Sequence, residues 1–306
     1  MPRLTTALPI AAALILTGCF VDIGDFDDNR FHEDFRATHK LDAGGRFSLV
    51  GFNGKVEIST WDRNEVEVAY TKFASTRDRL NDIKVDVATP PGAVEVRAAH
   101  RGASRRKGGV TFTIRVPRKC ELERVETTNG QIRIDDVEAA RMNLFTSNGA
   151  VTALRTRGAL SVETSNGSID VPSHEGDARL KSSNGRIEAV VRNGNIEART
   201  SNGKVWLRAT GKASDKPMRA ESNNGAIEVE LDGERELLAR TSNSSIRVTL
   251  PRDANADIRA STSHSSVSTD FSGLTKEENR LSGKIGKGGP LVDLQTSNGS
   301  ISLRSR

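Results

Sequence analysis

One four-residue phrase recurs through the C-terminal two thirds of the chain, and its spacing leaves few folds open. It stands at Thr127-Thr128-Asn129-Gly130, Thr146-Ser147-Asn148-Gly149, Thr164-Ser165-Asn166-Gly167, Ser182-Ser183-Asn184-Gly185, Thr200-Ser201-Asn202-Gly203, Ser222-Asn223-Asn224-Gly225 and Thr296-Ser297-Asn298-Gly299. Two variants, Thr241-Ser242-Asn243-Ser244 and Thr262-Ser263-His264-Ser265, lack the glycine. From Asn129 to His264 successive positions step by 19, 18, 18, 18, 22, 19 and 21 residues. A period near 18 marks a solenoid, in which each repeat is one coil that buries its apolar face only against its neighbours.

The residues around the phrase specify strands. Three positions after each Asn, or the His that replaces it, stands a branched aliphatic: Ile132, Val151, Ile169, Ile187, Val205, Ile227, Ile246, Val267 and Ile301. Two further on comes a second inward candidate, such as Ile134, Val171, Leu207, Val229 or Leu303, and the residue between is mostly polar or charged. Period-two alternation predicts a strand with one buried face. A second short segment follows Gly158, Gly176 and Gly194, so each repeat offers two strands and two turns. The expected fold is all-β: a β-solenoid of stacked coils with an N-terminal β capping domain. The 4% aromatic content agrees with a narrow interior filled by Ile, Val, Leu and Ala.

If the strand continues into the corner, Asn166 points inward with Leu160, Val162 and Thr164, and Gly167 supplies a positive φ for the bend. Asn129, Asn148, Asn166, Asn184, Asn202, Asn224, Asn243 and Asn298 are then expected to form a structural ladder, hydrogen-bonded from coil to coil. Calcium-binding repeats place Asp beside the glycines; this motif has none.

The chain begins with Arg3, an apolar run through Leu4, Ala7, Leu8 and Ile10 to Ile15, and Leu16-Thr17-Gly18-Cys19. The run is shorter than the ~20 residues that span a bilayer. Its end resembles a bacterial lipoprotein box, which implies residues 1–18 as signal peptide and Cys19 as the lipid attachment site; the alternative is an ordinary signal peptide with a cysteine near the cut. Cys120 then has no disulfide partner and reads as a small core residue. Residues 19–40 are acidic and read as a tether, complicated by Phe26, Phe31 and Phe35. Residues 41–120 alternate like strands without the 18-residue beat and read as an N-terminal β domain capping the first coil. Residues 121–306 are the solenoid, with an insertion at 270–290 that interrupts the beat and is expected to cover the last coil.

A net charge of +5 is spread over 45 basic and 40 acidic residues and points weakly, if at all, to nucleic acid. The basic run Arg97, Arg101, Arg105, Arg106 and Lys107 lacks interleaved aromatics and reads as a solvated hairpin tip. Five scattered histidines have no ligand spacing, so neither metal nor cofactor is expected. No catalytic residues are assigned. Asp170, Glu188 and Glu228 recur at one outward position of their coils, as does Trp206, a candidate surface contact.

Phe52 to Ile58 with Trp61-Asp62, the Ile114-Arg115-Val116-Pro117 stretch and the repeats together resemble a bacterial β-strand-repeat family of unknown function classed as candidate adhesins. The resemblance covers roughly Leu41 to Arg306 and implies a β-solenoid, export or envelope association, and no established catalytic residues. The expected function is a non-catalytic envelope lipoprotein displaying a rigid solenoid, held to a membrane (the outer membrane) by its lipid and facing an unknown protein or glycan, with no nucleic acid. Two other readings stay open: a polysaccharide-active β-helix enzyme, and an envelope-stress regulator that binds a partner protein.

Overall fold

A computed structural model of the chain describes residues 31–101 and 108–306. β1 (Phe31–Lys40), β2 (Arg46–Val50), β3 (Val56–Trp61) and β4 (Glu65–Ala74) are followed by α1 (Arg77–Asn81), β5 (Ile83–Ala88), β6 (Ala93–His100) and β7 (Gly108–Pro117). The regular part comprises β8 (Glu121–Thr127), β9 (Ile132–Asp135), β10 (Glu138–Thr146), β11 (Val151–Leu154), β12 (Thr156–Thr164), β13 (Ile169–Glu175), β14 (Ala178–Lys181), β15 (Ile187–Arg192), β16 (Ile196–Arg199) and β17 (Val205–Thr210). It continues through β18 (Met218–Glu221), β19 (Ile227–Asp232), β20 (Leu237–Arg240) and β21 (Ile246–Leu250). The C-terminal part holds β22 (Ala256–Thr262), β23 (Val267–Thr269), β24 (Leu274–Lys276), β25 (Arg280–Ile285), β26 (Leu291–Thr296) and β27 (Ile301–Ser305).

Each coil contributes one strand to each of two facing sheets. In the first, β6, β2, β8, β10, β12, β14, β16, β18, β20, β26 and β22 run parallel in that spatial order. In the second, β7, β3, β9, β11, β13, β15, β17, β19, β21, β27 and β23 do the same. Residues three positions past the corner Asn fall into one continuous register, Val56–Ile132–Val151–Ile169–Ile187–Val205–Ile227–Ile246–Ile301–Val267, and all are buried. Each such aliphatic contributes about 1.5–3 kcal/mol when fully buried. The protein is thus an all-β β-solenoid, and its core is one contiguous column of apolar side chains from Leu41 to Leu303.

The stack differs from chain order at both ends. At the N-terminal end β6 and β7 form the outermost coil, although β2 and β3, the next coil in, precede them in sequence. At the C-terminal end the last coil in the chain, β26 and β27, lies between β20/β21 and β22/β23. The insertion at 270–290 therefore does not cover the last coil of the chain. It forms β24 and β25, and β25 covers β22 antiparallel.

Residues 41–120 are likewise less separate than the lost periodicity suggests. They supply two coils to the same continuous sheets, and only β4 against β7 and β5 against β6 turn antiparallel to close that end. Residues 31–40, expected to be tether, are β1, paired along its whole length with β4. The alternation of half-buried Phe35, Ala37 and His39 with exposed neighbours shows why: one side of this segment lies over the apolar end of the stack. Residues 1–30 and the tip of the basic loop lie outside the described residues. Among the described residues no helix is long and apolar enough to cross a membrane.

Corner glycines decide how closely the coils pack. None of Gly130, Gly149, Gly167, Gly185, Gly203, Gly225 and Gly299 has a positive φ, contrary to the sequence expectation. Instead a Cβ on any of them would lie only 1.6–2.0 Å from a carbonyl oxygen of the preceding coil, Gly149 O in the case of Gly167. The left-handed conformation belongs to the other turn, where Gly158 and Gly176 both have φ +121. Gly167→Ala is expected to destabilise the protein by about 3 kcal/mol or more, because backbone rather than a flexible side chain must give way. Ser165→Ala, two positions earlier in the same corner and exposed, should change stability by less than about 0.5 kcal/mol; denaturant unfolding of both variants checks the contrast.

Candidate functional site

The corner itself is the most repeated polar structure on the molecule, and each of its four positions has a separate task. The Thr or Ser that opens the phrase points inward and is buried. Thr164 Oγ1 donates to Gly149 O of the preceding coil at 3.2 Å and accepts from Gly167 N of its own coil at 3.2 Å. The same pair of bonds recurs at Thr146, Ser182, Thr200, Ser222 and Thr296. Next, the backbone N–H groups of the second and third residues share one carbonyl below, as Ser165 and Asn166 share Ser147 O.

The asparagines form the expected ladder, but on the outside. Asn166 is exposed, not inward, because Thr164 ends the inward alternation and the chain turns before the next residue can follow it. Nδ2 of each Asn donates to Oδ1 of the one below, along Asn298, Asn243, Asn224, Asn202, Asn184, Asn166, Asn148, Asn129 and Asn53, at 2.5–2.8 Å. Asn298 rests on Asn243, 55 residues earlier, and His264 follows Asn298 through a bond from its backbone N to Ser297 O. At the far end Asn53 closes the row by donating to Gly108 O at 3.0 Å. Asn53 was not among the expected rungs; its Asn-Gly pair followed by Val56 and Ile58 is the signal that marks it. Ser244, where glycine is missing, is half-buried while the corner glycines are buried, yet Asn243 keeps its place in the ladder.

Outward positions carry the remaining chemistry. On the second sheet Arg133, Thr152, Asp170, Glu188, Trp206, Glu228 and Arg247 are register neighbours in one row. Trp206 is half-buried between Glu188 and Glu228. Glu228 pairs with Lys204 at 2.8 Å and Arg247 at 3.5 Å, and Glu188 with Arg186 at 3.5 Å. Partial burial, then the neighbouring Glu188 carboxylate, raises the pKa of Asp170, against the opposing pull of Arg186 and Arg133. On the first sheet Glu163, Lys181, Arg199 and Glu221 form one row with ion pairs Lys181–Glu163 and Arg199–Glu221, and Arg179–Glu197 lies in the row two residues along. Each such pair contributes at most about 1 kcal/mol, so the rows shape a surface more than they hold the fold.

The outward row of Asp170, Glu188, Trp206 and Glu228 contributes no residue to either of two clefts, one at each end of the stack. A cleft of about 240 Å³ opens near the C-terminal end, lined by Leu231, Arg235, Leu250, Asn255 and Val292. Arg235 is buried there without a carboxylate, and donates instead to the carbonyls of Gly194, Thr210 and Gly211. Its guanidinium fills the turn that the 22-residue step from Asn202 to Asn224 distorts, a structural task. Cys120 is buried, and burial pushes its thiol up to about 12, which keeps it protonated and unreactive. No group of three or more His, Cys, Asp or Glu among the described residues is arranged to hold a metal ion.

The profile of the Toastrack DUF4097 family matches residues 45–304, and the chain belongs to that family. Comparison with curated proteins gives no match. Crystal structures with a similar arrangement include a candidate adhesin from Bacteroides fragilis, 9% identical, TM-score 0.35, covering 88% of this chain and 96% of its own. A candidate lipid-binding protein from Parabacteroides distasonis is 13% identical, TM-score 0.35, with the same 88% and 96% coverage. A candidate cell adhesion protein from Clostridium sporogenes is 13% identical, TM-score 0.21, covering 89% of this chain and 100% of its own. Chains this far apart transfer no ligand or activity to one another.

Two expectations follow from this geometry. Thr164→Val keeps the shape of the buried side chain but leaves Gly167 N–H without its acceptor, and should cost about 1–3 kcal/mol. Asn184→Ala, losing exposed bonds to Asn166 and from Asn202, should cost about 1 kcal/mol; denaturation midpoints rank the two. The second concerns His174, buried with Nδ1 2.9 Å from Thr156 Oγ1 and Nε2 3.2 Å from Asp177 O. A neutral ring that donates from Nε2 to this carbonyl accepts at Nδ1 from the threonine, a pairing that suits the uncharged form. Burial lowers the His174 pKa below its ordinary 6.5, so the unfolded state binds the proton more readily. The stability this neutral ring contributes is fully present above about pH 6.5 and falls as pH drops toward its folded pKa. His174→Gln should flatten part of that decline in urea midpoints between about pH 7.5 and 5, with His39, also lowered by burial, accounting for a remainder.

Proposed function

We propose that the protein is a non-catalytic lipoprotein of the cell envelope that presents a rigid β-solenoid for adhesive or envelope contacts. The observation that supports it is the outward decoration of both sheets: charged side chains in fixed register, many of them ion-paired, with Trp206 set among them, on a frame whose corners are hydrogen-bonded from coil to coil. Such a surface suits recognition of an extended partner, a protein or a glycan, better than chemistry on a small molecule. Attachment through Cys19, which lies outside the described residues, is part of the proposal, as is the outer membrane as its location. Membership of a family of unknown function and similarity to candidate adhesins agree with it without adding a partner.

One observation favours a polysaccharide-active alternative: Asp170 and Glu188 are adjacent in register, and the Asp170 carboxyl is raised. Two neighbouring carboxyl groups whose environments push their pKa values apart can act as a glycosidic acid and its partner. Their place on an open strand face, away from the clefts, weighs against it, since substrate there stays in water.

Cys19→Ser is the direct test of anchoring. Wild-type protein should take up labelled fatty acid and sediment with membranes; the variant should do neither, and an unchanged membrane fraction refutes the lipid anchor. Trp206→Ala should leave the protein folded, at a cost of about 1–2 kcal/mol for the half-buried ring, while weakening attachment of the displayed protein to whole cells or envelope polymers. Release of products from uronate polymers by the wild type, lost in Asp170→Asn, would move the assignment to the enzyme.

A further inference from the structure

The two sheets have four outer edges, and they are not alike. On the first sheet the edges are β5, six residues long, and β24, three residues long. On the second they are β23, three residues long, and β1, ten residues long. Short edges present few free N–H and C=O groups, one of the ways sheets avoid unwanted pairing. β1 presents a full row: it pairs with β4 from Phe31↔Ala74 to Lys40↔Glu65, and among the described residues no strand lies on its other side.

Charged side chains commonly protect a long edge. Those of β1 are ordered so as to invite one particular partner. Glu33 and Asp34 stand in its first half, Arg36, His39 and Lys40 in its second. Residues facing each other across an antiparallel pair share a side of the sheet, so a strand meeting its own copy must pair odd with odd and even with even. Centred on Phe35, such a pair sets Asp34 against Arg36 twice, Glu33 against Ala37, His32 against Thr38 and Phe31 against His39. Moving the centre one residue either way sets Asp34 against Asp34 or Arg36 against Arg36.

The centre is also prepared. Phe35 is held by stacking on Tyr70 at 4.9 Å between ring centroids, with Lys72 Nζ 4.8 Å from its own centroid. A second Phe35 would enter at the 4.5–5.5 Å Cβ separation typical of directly opposed residues. Asp34 and Arg36 are exposed, Asp34 fixed by a 2.5 Å bond from Thr71 Oγ1 and Arg36 without an ion pair among the described residues. β4 already runs antiparallel to β1, so a further antiparallel strand continues that alternation.

We propose that the free edge of β1 is a homodimer interface, in which two copies of this chain pair β1 antiparallel about Phe35 and join their second sheets into one. This reading is independent of what the solenoid faces bind.

The register makes the test specific. In the complete chain, Phe35→Cys should give an oxidised dimer on a non-reducing gel. Ala37→Cys and His39→Cys should not, since like positions would be offset by four and eight residues, about 14 and 27 Å, beyond the ~7 Å a disulfide spans. Cys120 is buried, and the chain without an added cysteine gives the background. Adding Arg36→Asp to Phe35→Cys should lower the dimer yield about tenfold, and adding Asp34→Arg as well should restore it. Sedimentation of the same chains without the added cysteine should read two chain masses for the wild type and the double swap, and one for Arg36→Asp alone. Equal crosslinking at positions 35, 37 and 39 would show unspecific edge association and overturn the proposal. A monomeric wild type with no crosslink at 35 would overturn it too, as when residues preceding Phe31 cover the edge.

Discussion

The rest of the structure depends on one close approach: at most corners of the stack the backbone of a glycine lies directly against a carbonyl of the coil beneath. At the seven glycine corners from Gly130 to Gly299 a Cβ would come within 2.0 Å of that oxygen, whereas the corner after Asn243 carries Ser244, which is half-buried. Because the corner steps by the same small distance as the strands, parallel hydrogen bonding passes around the bend without a gap. The inward Thr or Ser then satisfies both the glycine N–H above and the carbonyl below, two groups that burial would otherwise leave costly. The outward Asn row follows from this: once the corners are superposed, their carboxamides are spaced to bond, one donor and one acceptor from each.

The order of coils at the two ends reflects the problem that an open stack creates. A terminal coil has a bare edge on each sheet, and a chain that simply stopped there would leave both uncovered. Here each end is built by an excursion. The chain passes the penultimate layer, makes the outermost coil with its antiparallel cover, and at the C-terminus returns to fill the layer it skipped. β26 and β27 consequently have neighbours on both sides, although they are the last strands of the chain. Closing that layer joins Asn243 to Asn298 across 55 residues, and the other end joins Asn53 to Asn129 across 76, against 18 to 22 for the steps between, so the two ends carry the largest loop-closure costs of the ladder.

How much of this was legible follows from which groups the repeat constrains. The inward aliphatics were legible, because Ile132 through Ile301 must alternate and recur to make one column. The side on which Asn166 stands was not, since extending the alternation of Leu160, Val162 and Thr164 by one step assumes that the strand continues through the turn. The reason for the glycine was also hidden, because a tight bend and a close contact select the same residue. Coil order was masked by the variant copies: His264 lies 21 residues after Asn243 and looks like the next rung, whereas Asn298 occupies it. β1 was concealed by composition, its acidic first half resembling a solvated spacer although Phe31, Phe35, Ala37 and His39 recur on one side.

The same reasoning separates what the repeat determines from what it leaves to function. Inward and corner positions have no freedom, so their regularity says nothing about a partner. Outward positions are under no such demand, yet row neighbours Asp170, Glu188, Trp206, Glu228 and Arg247 differ from coil to coil instead of repeating one charge. Ion pairing between neighbouring coils is itself sufficient to offset repulsion, as the Glu228 pairs with Lys204 and Arg247 show. A tryptophan is not needed for that purpose. In a chain with two tryptophans, its place in a row whose other members are charged or threonine is what sets this position apart and makes Trp206 the candidate contact residue.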